Sequence, residues 1–255
     1  MSGRNLNVAK VRTPVPSGQY FPDMLRVAYS AATAPCSPGF RIADNHGRVW
    51  YFAKTVEAVT HGNVCSHVPT EVAVAATKFD ATTAGAVELA LDITTTANAY
   101  QGGYLNITDG AGEGYQYLIA SHTAGTAGSS DCTLQLEEPL QVALDATTTV
   151  GTLTFGIFEA VQVANAADPT VEVPLGVAAA TSTTALPYVF LQTWGPSLVK
   201  AGTGAFGAGD RISVAEDDDG SAQLVLVGES QSVLGQAFST AADTIWGAVL
   251  LQIVP

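Results

Sequence analysis

Apolar and polar residues alternate with a period of two over much of the chain from Val87 onward. The stretch VELALDIT (Val87–Thr94) is the clearest example, and such alternation predicts a β-strand with one buried face. Further stretches of the same kind are GYLNIT, YQYLIASH, CTLQLEE, TLTFGIFEAVQVA, YVFLQTW, RISVAE, AQLVLVG and AVLLQIV. Turn-rich segments such as TDGAGEG and EDDDG separate them at intervals of about ten residues. This pattern predicts an all-β protein made of β-sandwich or small β-barrel units.

Two hairpins are predicted near the C-terminus. GDRISV and QLVLVG form the first around the turn EDDDGSA, and SVLGQAFST and IWGAVLLQIV form the second around AADT. Helical periodicity is scarce, and FPDMLRVAYSAA (Phe21–Ala32) is the best candidate for a short helix. We expect an extended N-terminal arm over residues 1–69, a β-rich domain or insertion over residues 70–168, and a C-terminal β-domain over residues 169–255.

The composition favours a protein that is largely covered by neighbours. Of the 255 residues, 47% are apolar, which is typical of a globular chain. Only 13% are charged, about half the usual share of roughly 25%. A soluble monomer normally carries many charged side chains on its surface, so this chain is expected to contact other subunits.

The charges are also unevenly placed. Residues 1–54 hold seven basic and two acidic residues, a net charge of +5, whereas residues 55–255 hold three basic and 21 acidic residues, a net charge of −18. We expect the basic segment to dock on the acidic remainder, within one chain or between chains, and a solvated basic tail is the alternative. The overall charge of −13 disfavours binding to nucleic acid, because clustered cations are needed to neutralise phosphates.

The cysteine count and the apolar runs bear on where the protein is made. The three cysteines Cys36, Cys65 and Cys132 are an odd number with no metal-ligand spacing. The N-terminal residues MSGRNLNVAKVRTP lack the apolar core of a signal peptide, and the longest apolar run, IWGAVLLQIV, is too short to span a bilayer. We therefore expect synthesis in the cytoplasm, free thiols and no membrane partner.

The glycine- and aspartate-rich stretch VKAGTGAFGAGDRISVAEDDDG (Val199–Gly220) offers candidate ligand sites. Gly202, Gly204 and Gly207 match the dinucleotide pattern G-x-G-x-x-G, but a strand pattern follows them where a helix is required. Residues 217–219 (DDD) suggest a calcium loop that lacks the outer ligands of an EF-hand. We expect two turns around a strand and no ligand, with a weak cation at the three carboxylates as the alternative.

The segment HGNVCSH is the other place where chemistry is conceivable. His61 and His67 flank Cys65, an arrangement compatible with a metal site or with a Cys–His nucleophile. No fourth ligand lies nearby in sequence, and the G-x-S-x-G nucleophile elbow is absent. We therefore predict no catalytic residues, no cofactor and no metal, and we expect that the protein is not an enzyme.

Two longer stretches carry a resemblance to a known family. They are NAYQGGYLNITDGAGEGYQYLIASH (Asn98–His122) and PLGVAAATSTTALPYVFLQTWGPSLV (Pro174–Val199), the latter followed by GDRISV, SVLGQAFST and GAVLLQI. Over residues 98–255 the chain resembles the capsid decoration, or cement, proteins of tailed bacteriophages. The resemblance implies a virion structural protein that binds the outer capsid surface, often as a homotrimer, and stabilises the head. Its partners would be the major capsid protein and further copies of itself.

Charge and aromatic content suggest which residues make these contacts. We expect the N-terminal arm to act as a strap between subunits, and Trp194 to lie at an interface. The strap residues are Arg4, Lys10, Arg12, Tyr20 and Phe21. The alternatives are another virion component, such as a tail, fibre or major capsid protein, or a carbohydrate-binding β-module that uses Trp194 or Trp246 as a stacking platform.

Overall fold

The computed structural model describes residues 34, 36–44, 46–67, 71–167, 173–225 and 232–253. The strands in these residues are β1 (Arg41–Ala43), β2 (Val49–Lys54), β3 (Val64–His67), β4 (Glu71–Val74), β5 (Glu88–Leu91), β6 (Tyr104–Asp109), β7 (Gln116–His122), β8 (Cys132–Leu136), β9 (Val150–Thr154), β10 (Val161–Val163), β11 (Pro174–Ala178), β12 (Tyr188–Lys200), β13 (Arg211–Val214), β14 (Ala222–Leu224), β15 (Val233–Ala237) and β16 (Trp246–Gln252). A single turn of 3-10 helix, Ala76–Lys78, accompanies them in the described residues. The prediction of an all-β fold is confirmed.

The chain divides into two compact units. The first contains residues 1–69 and 160–255, and the second contains residues 70–159. The structure thus places the boundaries of the inserted unit at residues 70 and 159, whereas the sequence suggested 70 and 168. Residues 41–67, which were expected to belong to an extended arm, form β1, β2 and β3 of the first unit. The helix predicted at Phe21–Ala32 lies outside the described residues.

The first unit is a ten-stranded antiparallel sheet. Its main order is β10-β3-β11-β12-β16-β15-β13-β14, with β2 paired to β12 and β1 paired to β2. Strand β12 runs through thirteen residues, of which Tyr188–Trp194 pair with β2 and Trp194–Lys200 pair with β16. Both predicted hairpins are confirmed, since β13 pairs with β14 and β15 pairs with β16.

The second unit is a six-stranded antiparallel sheet that curls around its own core. The strand order is β4-β9-β6-β7-β8-β5. After β4, Phe79 forms an isolated β-bridge with Leu91 of β5, the strand at the opposite edge of the sheet. Next to this bridge, the Asp92 N–H donates a hydrogen bond to the Lys78 carbonyl. The alternating side chains of these strands point inward and form an apolar core. Its larger members are Phe79, Leu89, Leu91, Leu105, Ile107, Tyr117, Ile119, Leu134 and Leu153.

One predicted strand proves to be two. The run TLTFGIFEAVQVA contains the last three residues of β9 and the whole of β10, with a turn between them in which the Glu159 N–H donates to the Gly156 carbonyl at 2.8 Å. Gly156 is required there, because a Cβ atom at this position would lie 2.6 Å from the Gly102 carbonyl oxygen. The break in the strand coincides with the boundary between the two units.

Candidate functional site

Strand β16 of the first unit is apolar on both of its faces, but only one face is buried. Gly247, Val249 and Leu251 point into the core, where Val249 and Leu251 are fully buried. Trp246 and Leu250 alternate with them and remain exposed. Because successive residues of a strand point to opposite faces of a sheet, these exposed residues belong to its outer surface.

The strands on either side of β16 continue this outer surface. Leu198 of β12 lies opposite Ala248, and Pro196 lies opposite Leu250. On the other side of β16, Leu250 lies opposite Gln236 of β15, and the N–H of Phe238 donates to the Ala248 carbonyl at 3.0 Å. Residues directly opposite each other share a face of the sheet. We call this surface the apolar sheet face, which consists of Pro196, Leu198, Phe238, Trp246, Ala248 and Leu250.

The apolar sheet face is exposed to an unusual degree for such large side chains. Leu198 is 53% exposed, Phe238 is 55% exposed and Leu250 is 38% exposed. Scattered apolar residues are normal on a protein surface, but a contiguous set held by adjacent strands is typical of an interaction site. This cluster is therefore the candidate functional site of the first unit.

Cations lie at the rim of the apolar sheet face. Lys200 lies opposite Trp246 at one end, and Arg211 of β13 lies opposite Gln236 at one side. The Lys200 ammonium is 2.6 Å from the Asp218 carboxylate. The hydrogen bond from Lys200, together with one from the Ser221 hydroxyl, lowers the pKa of Asp218.

The edge of β12 next to this face is covered by a side chain. The Gln192 amide donates to the carbonyl of Trp194 at 3.2 Å and to the carbonyl of Pro196 at 2.8 Å. An open strand edge invites pairing with another strand. Because these two carbonyls already accept hydrogen bonds from Gln192, they are not available to pair with a further strand, and a partner would meet the side chains of β12.

The two tryptophans named from the sequence both lie in or beside this region. Trp194 is half-buried and lies opposite Gln252 at the rim of the apolar sheet face. Trp246 is 44% exposed, and its ring centroid lies 6.0 Å from that of His61. The five predicted strap residues, Arg4, Lys10, Arg12, Tyr20 and Phe21, lie outside the described residues, so the strap stays a prediction.

The stretch from Val199 to Gly220 has two turns around β13, in line with the strand predicted after its glycines. Its aspartates accept hydrogen bonds from different parts of the chain. Asp217 accepts from the Thr203 N–H at 3.1 Å, Asp219 accepts from the Ala166 N–H at 2.8 Å, and Asp218 is paired with Lys200. Within the part of the chain that the structure describes, no three His, Cys, Asp or Glu side chains are grouped so that they could hold a metal ion.

In the described residues, the three candidate residues of the segment HGNVCSH do not form a group that could hold a metal ion, although Cys65 and His67 lie on the same strand, β3. Cys65 is fully buried in β3, whereas His61 is exposed beside Trp246. Burial, with a further contribution from the Glu57 carboxylate, raises the pKa of Cys65 to about 12. A thiol in this environment is neutral near pH 7 and is a poor nucleophile and metal ligand.

A second cysteine–histidine pair, which sequence reasoning missed, lies in the second unit. The Sγ atom of Cys132 is 3.9 Å from Nδ1 of His122, although the two residues are on different strands. His122 Nδ1 is also 2.8 Å from the Thr123 carbonyl oxygen, so this nitrogen donates and cannot accept a proton from the thiol. Burial, followed by the Asp131 carboxylate, raises the pKa of Cys132 to about 11, which fits a structural pair.

The described residues contain no helix long and apolar enough to cross a membrane. Comparison of the whole chain with protein-family models, with curated proteins and with solved structures finds no match.

Proposed function

We propose that this chain is a structural protein of a tailed-bacteriophage virion, which binds the outer surface of the capsid and stabilises the head. Two observations support the proposal. Residues 98–255 resemble capsid decoration proteins in the stretches quoted above, and the apolar sheet face offers a surface that suits another protein. The second observation carries the proposal, because an exposed apolar face in a chain with 13% charged residues is typical of a subunit in an assembly.

The proposed mechanism is mechanical rather than catalytic. Each copy bridges neighbouring capsid subunits and removes apolar area from water, which contributes roughly 25 cal/mol for each Å² buried. Because a capsid offers many equivalent positions and copies also contact one another, individually weak contacts add up to stable attachment. A capsid lattice that is reinforced in this way resists the pressure of the packaged DNA. The proposed partners are the major capsid protein and further copies of the chain. The resemblance implies that these copies form a homotrimer.

The basic N-terminal segment is proposed to serve as the strap of this assembly. Its net charge of +5 over residues 1–54 attracts it to the acidic remainder of a neighbouring chain. A segment that becomes ordered on a neighbour gains a large contact area at an entropic cost. Deletion of residues 2–25 should lower the occupancy of the chain on the particle and lower the temperature at which heads rupture. Unchanged occupancy and heat resistance would refute the strap.

The location of the chain in an electron-microscopy map of the particle tests the function itself. Density on the outer capsid surface, across the seams between capsid subunits, is the expected result. Density in the tail, in a fibre or in the capsid shell would support the other virion roles instead. Absence from purified particles, together with binding of the isolated chain to a glycan array, would favour the carbohydrate-binding alternative.

A further inference from the structure

An aspartate is followed directly by a glycine at two places in the sequence, Asp109–Gly110 and Asp219–Gly220. We infer that, in the folded protein, Asp109 is a site of spontaneous isoaspartate formation and that Asp219 is protected from the same reaction. The inference concerns a covalent modification of the second unit, so it goes beyond the proposed function and does not depend on it. Both sites share the same dipeptide, and the fold distinguishes them.

The reaction joins the backbone of Gly110 to the side chain of Asp109. The Gly110 nitrogen attacks the Cγ atom of the aspartic acid and loses its proton, and a water molecule leaves, which closes a five-membered succinimide ring. Solvent water then opens the ring. Cleavage of the bond between the nitrogen and Cγ restores aspartate, whereas cleavage of the original peptide bond leaves the chain running through Cγ. A following glycine favours the attack, because it has no Cβ atom to shield the nitrogen.

The structure holds the two reacting groups of the first site together in solvent. Asp109 is the last residue of β6, and both Asp109 and Gly110 are exposed. The Gly110 N–H donates to the Oδ1 atom of Asp109 itself at 2.8 Å, so the attacking nitrogen lies beside the carboxyl group that it must attack. Within the described residues this N–H donates to no backbone carbonyl. No backbone hydrogen bond of Gly110 nitrogen therefore has to break before the ring closes.

At the second site the same two groups are held apart by other partners. Gly220 is buried, and its N–H donates to the Ala164 carbonyl at 2.8 Å. The Oδ1 atom of Asp219 accepts the Ala166 N–H, also at 2.8 Å. Attack would require both hydrogen bonds to break and a buried N–H to lose its acceptor, which is unfavourable. The fold thus protects Asp219.

The product would not fit the place that Asp109 occupies. Asp109 pairs with Val150 of β9, and a Cβ atom on Gly110 would overlap the Thr148 carbonyl oxygen. An isoaspartate inserts one extra methylene group into the backbone between these two contacts, so the end of β6 must shift against β9. The close fit also restrains the turn. We therefore expect the reaction at Asp109 to be slower in the folded protein than in the unfolded chain, but faster than at Asp219 in the folded protein.

Ageing of the purified full-length chain tests the inference. The folded protein is incubated at 37 °C in mildly acidic buffer, which favours the acid form that can lose water, and a matched sample is incubated in guanidinium chloride. A glutamyl endopeptidase then releases the peptides Leu89–Glu113 and Asp217–Glu229. Electron-transfer fragmentation locates isoaspartate within each peptide. Isoaspartate should accumulate several-fold faster at Asp109 than at Asp219 in the folded protein, and at comparable rates at both in the unfolded chain.

Asp109→Asn provides a positive control. An asparagine reaches the same succinimide by losing ammonia in place of water, so isoaspartate should appear at this position sooner than in the wild type. Circular dichroism shows whether the variant is folded before ageing, and incubation continues until the unfolded sample has reacted. Equal or faster reaction at Asp219 in the folded protein would overturn the inference. A folded Asp109→Asn variant that forms no isoaspartate would do so too, because the fold would then block ring closure.

Discussion

The ring of Trp246 lies directly against the backbone of Gly62, so that a Cβ atom on Gly62 would overlap the ring carbons Cζ3 and Cη2. Gly62 also has a φ of +82°, in the left-handed region that favours glycine. This glycine therefore determines where a half-exposed tryptophan of the apolar sheet face can lie. The contact joins the loop before β3 to the first residue of β16.

Gly62→Ala should displace Trp246 and destabilise the protein by about 1–3 kcal/mol, because the added methyl group collides with the indole. The measurement is chemical unfolding followed by tryptophan fluorescence, to which Trp246 contributes together with the two other tryptophans of the chain. Gly47→Ala is the matched control, since Gly47 has a φ of +80° but nothing within 4 Å of its Cβ position. Equal losses of stability in both variants would mean that backbone strain, and not the indole, is the cause.

His122→Leu should destabilise the second unit by about 1–3 kcal/mol for each buried polar group left unpaired. The Nε2 atom of His122 accepts the Tyr100 N–H at 2.9 Å, and its Nδ1 atom donates to the Thr123 carbonyl at 2.8 Å. Leucine fills a similar volume but can make neither bond. Thermal unfolding measures the change, and His46→Leu, at an exposed position, should shift the transition very little. An unfolding temperature unchanged by His122→Leu would contradict this role.

Asp44→Asn should destabilise the protein at pH 7 and progressively less in acid. Burial raises the pKa of Asp44, but hydrogen bonds from Arg48 and His46 outweigh burial and hold it below its ordinary value of 3.8. A carboxyl with a lowered folded-state pKa contributes stability above about pH 4, and this contribution is lost as the pH falls through the folded-state pKa. The expected loss at pH 7 is about 1–3 kcal/mol.

Urea unfolding of wild type and Asp44→Asn at pH 7 and at pH 3 measures this difference. The gap between the two proteins should narrow as the pH falls from 7 to 3, because the wild-type carboxyl is then increasingly protonated, first in the unfolded chain. Asp243→Asn, at an exposed position, is the control and should change stability by only a few tenths of a kcal/mol. A gap that stays constant between the two pH values would refute the charged hydrogen-bonding role.

The thiols of Cys65 and Cys132 should resist labelling in the folded protein. Both side chains are fully buried, and the pKa values of about 12 and about 11 leave little thiolate at pH 8. In a Cys36→Ser variant, a thiol-reactive disulfide reagent should react slowly before unfolding and with both cysteines in guanidinium chloride. Fast reaction in the native state would show that one of the two strands opens to solvent.

The sequence by itself determined the fold class and most strands after residue 87. The alternation of VELALDIT placed β5, and the turn residues around RISVAE placed the hairpin of β13 and β14, because both signals are local. Strand β2 escaped prediction because VWYFAK is almost continuously apolar and is buried on both faces, so it shows no period of two. The candidate metal and nucleotide motifs were disfavoured from the sequence alone. The glycine pattern lacks the helix that must follow it, and each metal motif lacks a required ligand.

Tertiary structure determined which distant strands pair and how the chain divides into two units. Strand β3 pairs with β10 and β11, about 100 residues later in the chain, and this pairing makes residues 70–159 an insertion between strands of one sheet. No local pattern encodes such a pairing. The candidate site depended on tertiary structure for a similar reason, because both alternating sets of β16 are apolar and either could have been buried.

Packing resolved this ambiguity in β16. A Cβ atom on Gly247 would lie only 2.5 Å from the ring of Phe206, and one on Gly235 would overlap the Leu250 carbonyl oxygen. These close approaches fix the register and turn Val249 and Leu251 inward, which leaves Trp246 and Leu250 outside. The sequence thus specified that β16 is an apolar strand, and contacts between residues distant in the chain specified which of its faces is left for a partner.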